Sequence, residues 1–304
     1  VIDALLWLGA GLGNGFLNLF RALSNPMAWL DWSNREALGR FIYYGASKEL
    51  FFAIFAALLV LTVVGLIRKP VMWAVVRGLE GFGNGLGRFA AWFGLIMVLQ
   101  QVMIVFLQRI FRVNAIEFGP LSIFGYNLMP GTQLFGFDLQ WWAEGLKFHN
   151  AVVIVLCVSY TFVQGGHVRV DLMYANVKFR TKRVIDGLGA LLFMMPVAII
   201  TWIYAWFFMW RHLVTPNVAA SERFEQVMRK ANVMKWNVET IGPSPGGFNA
   251  YFLFKILIVM FALLVFVQAI AVLYRAILEW REGPESADRY RDRDILQQDA
   301  VQAH

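Results

Sequence analysis

The most concentrated run of chemistry-bearing side chains in the sequence is Gln164-Gly165-Gly166-His167-Val168-Arg169-Val170-Asp171. It follows an apolar run over residues 152–163 and precedes a basic turn holding Lys178, Arg180, Lys182 and Arg183. Three ionisable groups arriving together make this the first candidate for an active site, but its setting argues for another use. Two glycines let a helix stop as it leaves an apolar environment. Asp171 can then accept from backbone amides or pair with Arg169. The expected chemistry is that of a turn joining two spans, with Gly165, Gly166, His167, Arg169 and Asp171 fixing it.

Other candidates are weaker. His149 and His212 stand at the ends of two apolar runs, where together they would ligate a haem as in a quinone-linked membrane anchor; the alternative is two interfacial histidines. Gln100 and Gln101 lie near the middle of an apolar run, and buried amides at that depth hydrogen-bond to neighbouring helices, contributing ~1 kcal/mol. Gly81-Phe82-Gly83-Asn84-Gly85 repeats the pattern of Gly11-Leu12-Gly13-Asn14-Gly15. A phosphate-cradling loop would need a preceding strand, and nothing nearby resembles one. The single cysteine, Cys157, excludes an intramolecular disulfide and a cysteine-based metal site.

The elements that position these groups are membrane elements. Of the 304 residues, 59% are hydrophobic and only 15% charged, against roughly 25% charged in soluble domains. The net charge of +7 resides in short loops between apolar runs, so it speaks for anionic lipid and membrane orientation and against nucleic acid. Spans are expected over residues 50–67, 89–107, 148–163, 184–210 and 248–274. Residues 4–20, punctuated by four glycines, are expected as an interfacial or re-entrant helix; residues 21–46 and the amphipathic stretch 221–236 lie on a membrane surface. Residues 68–88 read as a linker, 110–146 as a loop against the headgroups, Pro196 as a kink, and the tail from 282 as solvated or disordered.

Orientation follows from the cations. Loop 68–88 holds Arg68, Lys69, Arg77 and Arg88, and loop 164–183 holds five more. Short loops this basic belong in the cytoplasm. The middle of every expected span lacks Asp, Glu, Lys and Arg, with Lys255 near a span end where it can snorkel. Paired carboxylates at depth and a nucleophile with a base are missing too, so an enzyme is not expected.

Gly166-His167-Val168-Arg169-Val170-Asp171, entered by a helix starting Trp142-Ala143-Glu144 and followed by Arg180-x-x-Arg183-x-x-Asp186, resembles the small membrane subunit of tripartite ATP-independent periplasmic (TRAP) transporters. Glu239-x-x-x-Pro243-Ser244-Pro245-Gly246-Gly247, with Lys255 in the helix beyond, is similar to the last external segment of that family. The likeness covers residues 86–280. It implies an all-α integral membrane protein with a four-helix family core, here extended by at least one further N-terminal transmembrane helix and by amphipathic interfacial helices. The implied division is a 1–85 extension, an 86–280 membrane domain and a polar cytoplasmic tail over 281–304.

The resemblance further implies a scaffold subunit in a bacterial inner membrane, serving sodium-coupled secondary active transport of an organic acid such as a carboxylate. Its partners would be a large membrane subunit, which holds substrate and sodium, and a periplasmic substrate-binding protein; no cofactor is expected in this chain. Glu144, Arg183 and Asp186 join the turn residues as implied contact positions. Gly145 departs from the pattern, standing where similar proteins often carry a second acidic residue. The alternatives from other classes are a membrane anchor of a haem- or quinone-linked redox complex and a structural subunit of another membrane assembly.

Overall fold

The computed structural model describes residues 2–112, 115–118, 122–123, 126–127, 135–165, 177–240, 247–287 and 289–292. Among these the chain is overwhelmingly helical: α1 (Ile2–Ser24), α2 (Met27–Leu30), α3 (Arg35–Tyr44), α4 (Lys48–Ile67), α5 (Lys69–Val105), α6 (Leu139–Gln164), α7 (Phe179–Gly189), α8 (Met195–Arg211), α9 (Phe224–Ala231) and α10 (Phe252–Glu282). Short antiparallel ladders close the connections, pairing Ala115–Phe118 with Phe135–Asp138 and Val214–Thr215 with Lys235–Trp236. Among the described residues five helical stretches are long and apolar enough to cross a membrane: Lys48–Ile67, Lys69–Ile110, Leu139–Gln164, Phe179–Arg211 and Phe252–Glu282. The chain is thus a multi-pass membrane protein by helix length and composition.

Helix ends follow local chemistry. Ser47 caps α4 by accepting from the Leu50 amide at 3.3 Å. Pro70, which has no N–H to continue a helix, sits in the first turn of α5 and splits it from α4 at Arg68. Gly165 ends α6 in the left-handed region (φ +76°), as the exit glycines predicted. Pro196 does not break its helix. The turn before it, Ala190–Met194, widens to a π-turn, which accommodates the proline against the carbonyl of the preceding turn.

Two expectations need correction. Residues 69–88 are not a linker but the first half of α5, which with its terminal π-turn runs 42 residues to Ile110, about 63 Å at 1.5 Å per residue. Its glycines serve close packing: a Cβ on Gly83 would come within 2.6 Å of Gln268 Nε2, and one on Gly87 would strike the Tyr160 ring. In the repeated motif the close contacts fall on other positions, Gly11 and Gly15 against Phe52. The two copies therefore do different packing work, and both are helical. The boundary between positions 85 and 86 lies inside α5.

The second correction concerns the tail. Residues 283–287 and 289–292 fold back onto α5, where Ser286 is buried, Tyr290 lies edge-on to Trp73 and beneath Arg77, and Asp292 pairs with Arg88 at 2.8 Å. Aromatic and guanidinium contacts give this polar segment a surface its composition does not advertise.

α10 is the central helix. Three apolar clusters build the core and α10 contributes to each: Val259 to the first, Ala269, Ile270, Tyr274 and Leu278 to the second, Leu257 and Leu264 to the third. Its most apolar stretch is 39% buried, against 17% for α5 and for α7–α8. The peripheral spans instead turn rows of large side chains outward, such as Phe89, Trp92, Leu95, Leu99 and Val102 on α5, the surface a bilayer or a partner helix would cover.

Candidate functional site at the basic end

The chain's buried charges gather where α5, α7 and α10 meet. Glu80 of α5 receives both forks of Arg275 of α10, Nε to Oε1 and Nη2 to Oε2, each at 2.5 Å. Arg275 Nη1 also donates to Glu279 Oε1, one turn further along α10, at 3.0 Å. The second oxygen of Glu279 lies 2.7 Å from Arg183 Nε of α7. That pair is close but not aligned as a hydrogen bond, so its attraction is chiefly charge on charge. Arg183 Nη1 closes the chain on Asp186 at 2.9 Å. Arg275 is 3% exposed and Glu279 fully buried, so these charges depend on one another for solvation.

Helical spacing builds this network. Arg275 and Glu279 are i,i+4 neighbours, and Arg183 and Asp186 are i,i+3 neighbours, so each pair shares a face. Arg275 also lies 5.4 Å from the Trp73 ring and Arg183 4.9 Å from the Phe179 ring. The returning tail completes the site: Arg275 Nη1 donates to the Arg289 carbonyl at 3.2 Å, while Asn84 and Gln164 both donate to the Asp292 carbonyl, at 2.8 and 2.9 Å. Beside the network a cavity of about 580 Å³ opens between α6, the π-turn and α10, with Arg183, Asp186 and Arg275 at its polar side and Phe162, Ala190 and Met194 at its apolar one.

The predicted site residues divide three ways. Arg183 and Asp186 enter the network, and Gly165 is the left-handed exit residue. Glu144 sits at the other end of the molecule, where its Oε2 accepts from the Phe248 amide at 2.8 Å and so ties α6 to the entrance of α10. Gly166, His167, Arg169 and Asp171 lie outside the described residues. Sequence reasoning missed Glu80, Arg275 and Glu279. For the last two the signal was present: Arg275 and Glu279 mark one stripe of a largely apolar helix, and a cationic stop would not need a carboxylate on its own face.

At the opposite, aromatic end the polar contacts are of another kind. Trp202 and Trp206 of α8 donate their indole N–H groups to the carbonyls of Gly45 and Ile42 in and after α3, at 2.7 and 2.9 Å. Gln100 donates to the Trp142 carbonyl at 2.6 Å and its oxygen faces His149 Nδ1 at 2.6 Å. Lys255 pairs with Glu239 at 2.5 Å, and His212 Nε2 approaches the same carboxylate oxygen at 3.3 Å. The hydrogen bond from Lys255, helped by the charges of His212 and Lys255, holds the Glu239 carboxyl below its ordinary range against a smaller opposing effect of burial. His212 Nδ1 meets the Phe208 carbonyl at 2.8 Å, so both of its ring nitrogens face oxygen.

Chemically, the basic-end arrangement is a clamp. Each carboxylate is engaged by a guanidinium, and a bidentate arginine fixes orientation as well as charge. Among the described residues no group of three or more His, Cys, Asp or Glu side chains is placed to hold a metal ion. Comparison with models of protein families, with curated proteins and with solved structures returns no match.

Proposed function

We propose that this chain is an accessory scaffold subunit of a binding-protein-dependent, sodium-coupled transporter for an organic acid, in the manner of the TRAP small membrane subunit. The observation that carries the reading is what the motif residues do. Arg183 and Asp186 join the network that ties α7 to α10, Glu239 pairs with Lys255, and Glu144 binds the Phe248 amide. Residues that moved a substrate would be held ready for it, and these are spent on one another. A scaffold needs such fixed contacts inside and a broad apolar surface outside, where a large transport subunit would pack against the rows on α5 and its neighbours.

The division of labour that follows leaves substrate and sodium to the large subunit. Purification of the full chain in mild detergent tests it. A large polytopic partner recovered with the chain, together with a periplasmic binding protein that associates with the pair, supports the proposal. Recovery with a cofactor-bearing redox protein instead would overturn it. The redox alternative has a direct optical test: with both nitrogens of His212 facing oxygen atoms and His149 held by Gln100, the dithionite-reduced protein is expected to show no haem bands.

A further inference from the structure

A second cavity shares no lining residue with the one beside the ionic network and has a different character. It is a groove of about 560 Å³ between α4 and α8, floored by α10, with Trp7 of α1 at its side. Its walls are apolar, including Ile54 and Leu58 of α4, Ile199 and Ile203 of α8, and Leu263 and Phe266 of α10. α10 is the most buried span, yet Leu263 on the groove floor is 46% exposed while its neighbours Ala262 and Leu264 are buried. Something apolar belongs on that floor.

The dimensions decide what. On α4 the lining runs from Ser47 to Leu58, a rise of about 16 Å, or half of a ~30 Å hydrocarbon core. The groove ends there because α4 closes on α10: Tyr274 Oη donates to the Leu58 carbonyl at 3.3 Å and lies 2.9 Å from Thr62 Oγ1. A spanning helix, 10–12 Å across and continuous through the bilayer, would run into that closure. A single acyl chain, reaching from the headgroup level to mid-membrane, would not.

The mouth supplies the headgroup contact. Lys48 is exposed and, among the described residues, makes no hydrogen bond or ion pair, while the adjacent Glu49 turns one carboxylate oxygen inward, where it is buried. The mouth therefore presents an ammonium. We infer that this groove is a binding site for one glycerophospholipid of the leaflet at the aromatic end, with an acyl chain along Ile54, Leu58 and Leu263 and its phosphate at Lys48. The inference rests on the membrane reading alone and stands whether or not the transporter proposal does.

Native mass spectrometry of the full chain, purified in mild detergent and titrated with palmitoyl-oleoyl phosphatidylglycerol, tests it. The wild-type chain should retain one lipid in preference to further adducts. Leu263→Trp, which fills the groove from an already exposed position, should lower that retention roughly tenfold. Lys48→Ala should lower it roughly fivefold, the weight of one cation beside a lipid phosphate. Val197→Trp, on the outward face of α8 and outside the groove, should change nothing. Equal retention in wild type and Leu263→Trp overturns the inference, as does a chain dimer that Leu263→Trp dissociates. Should Leu263→Trp fail to fold, Lys48→Ala decides alone, and wild-type retention in that variant overturns the site.

Discussion

The two ends of this molecule are held by opposite means. At the basic end, three carboxylates and two guanidiniums form one connected chain across α5, α7 and α10, with Glu80, Arg275 and Glu279 buried and Arg183 and Asp186 partly so. At the aromatic end, α3 and α8 are joined by a pile of indole and phenyl rings whose N–H groups find backbone carbonyls, and the charged pair Glu239–Lys255 keeps to the periphery. The difference teaches where a single change hurts. Breaking a buried ion pair strands a charge in a poor solvent, whereas losing one ring from a stack forfeits only part of a distributed contact.

The largest effect is expected from Arg275→Met. It leaves Glu80 buried without the one cationic partner it has among the described residues, and breaking such a pair typically costs about 3–5 kcal/mol. The double variant Glu80→Leu with Arg275→Met should recover much of that loss, because Glu279 still has Arg183. Thermal unfolding in detergent distinguishes the two. A single variant no worse than the double would show that the network is not stabilised by charge pairing.

Next in size is Gly45→Ala at the aromatic end. The backbone at Gly45 is ordinary helical (φ −63°), so alanine is not strained there, but its Cβ would enter the Trp206 ring. Overpacking of this kind costs about 1–3 kcal/mol. It should also move the Trp202 and Trp206 indoles off their carbonyls, visible as a shift in near-UV circular dichroism. An unchanged spectrum and melting temperature would mean that α3 and α8 do not approach as closely as described.

Gln100→Leu probes the buried amide that joins α5 to α6 at the aromatic end. It removes the contacts to the Trp142 carbonyl and His149, and interhelical polar contacts in membranes are worth ~0.6 kcal/mol on average and at most ~1.7. A modest fall in melting temperature is expected, with Gln101→Leu as the control because Gln101 is exposed. Equal falls in both variants would reassign the effect to helix packing in general.

How much of this was legible in the sequence depends on the kind of signal. Apolar length marked all five span-forming stretches, and Gly165 announced the end of α6, because both are local properties. The cations of 68–88 misled: they suggested a linker, when a helix that leaves the hydrocarbon core can carry charges along one face. Glycines concealed the same helix, since only the packed fold shows that Gly83 and Gly87 make room for Gln268 and Tyr160. Glu80 was invisible for a related reason, as its partner lies 195 positions away. Arg183 and Asp186 were found through a motif, yet their link to Glu279 came only with the fold.

The smallest expected effect is the pH response of Glu239, and it sharpens the contrast because this carboxylate sits at the periphery. The hydrogen bond from Lys255 lowers its folded pKa, so the pairing contributes fully above the unfolded carboxylate value of about 4.3 and is lost as pH falls through the lower folded value. Between pH 7 and about 5 the unfolding free energies of wild type and Glu239→Gln should differ by a steady amount, less than about 1 kcal/mol for a partly exposed pair. Below about pH 4.3 the difference should shrink toward zero as Glu239 itself takes up a proton. A difference that instead grows in acid would mean that Lys255 and His212 stabilise the neutral acid, and the peripheral pair would then resemble the basic-end network in kind.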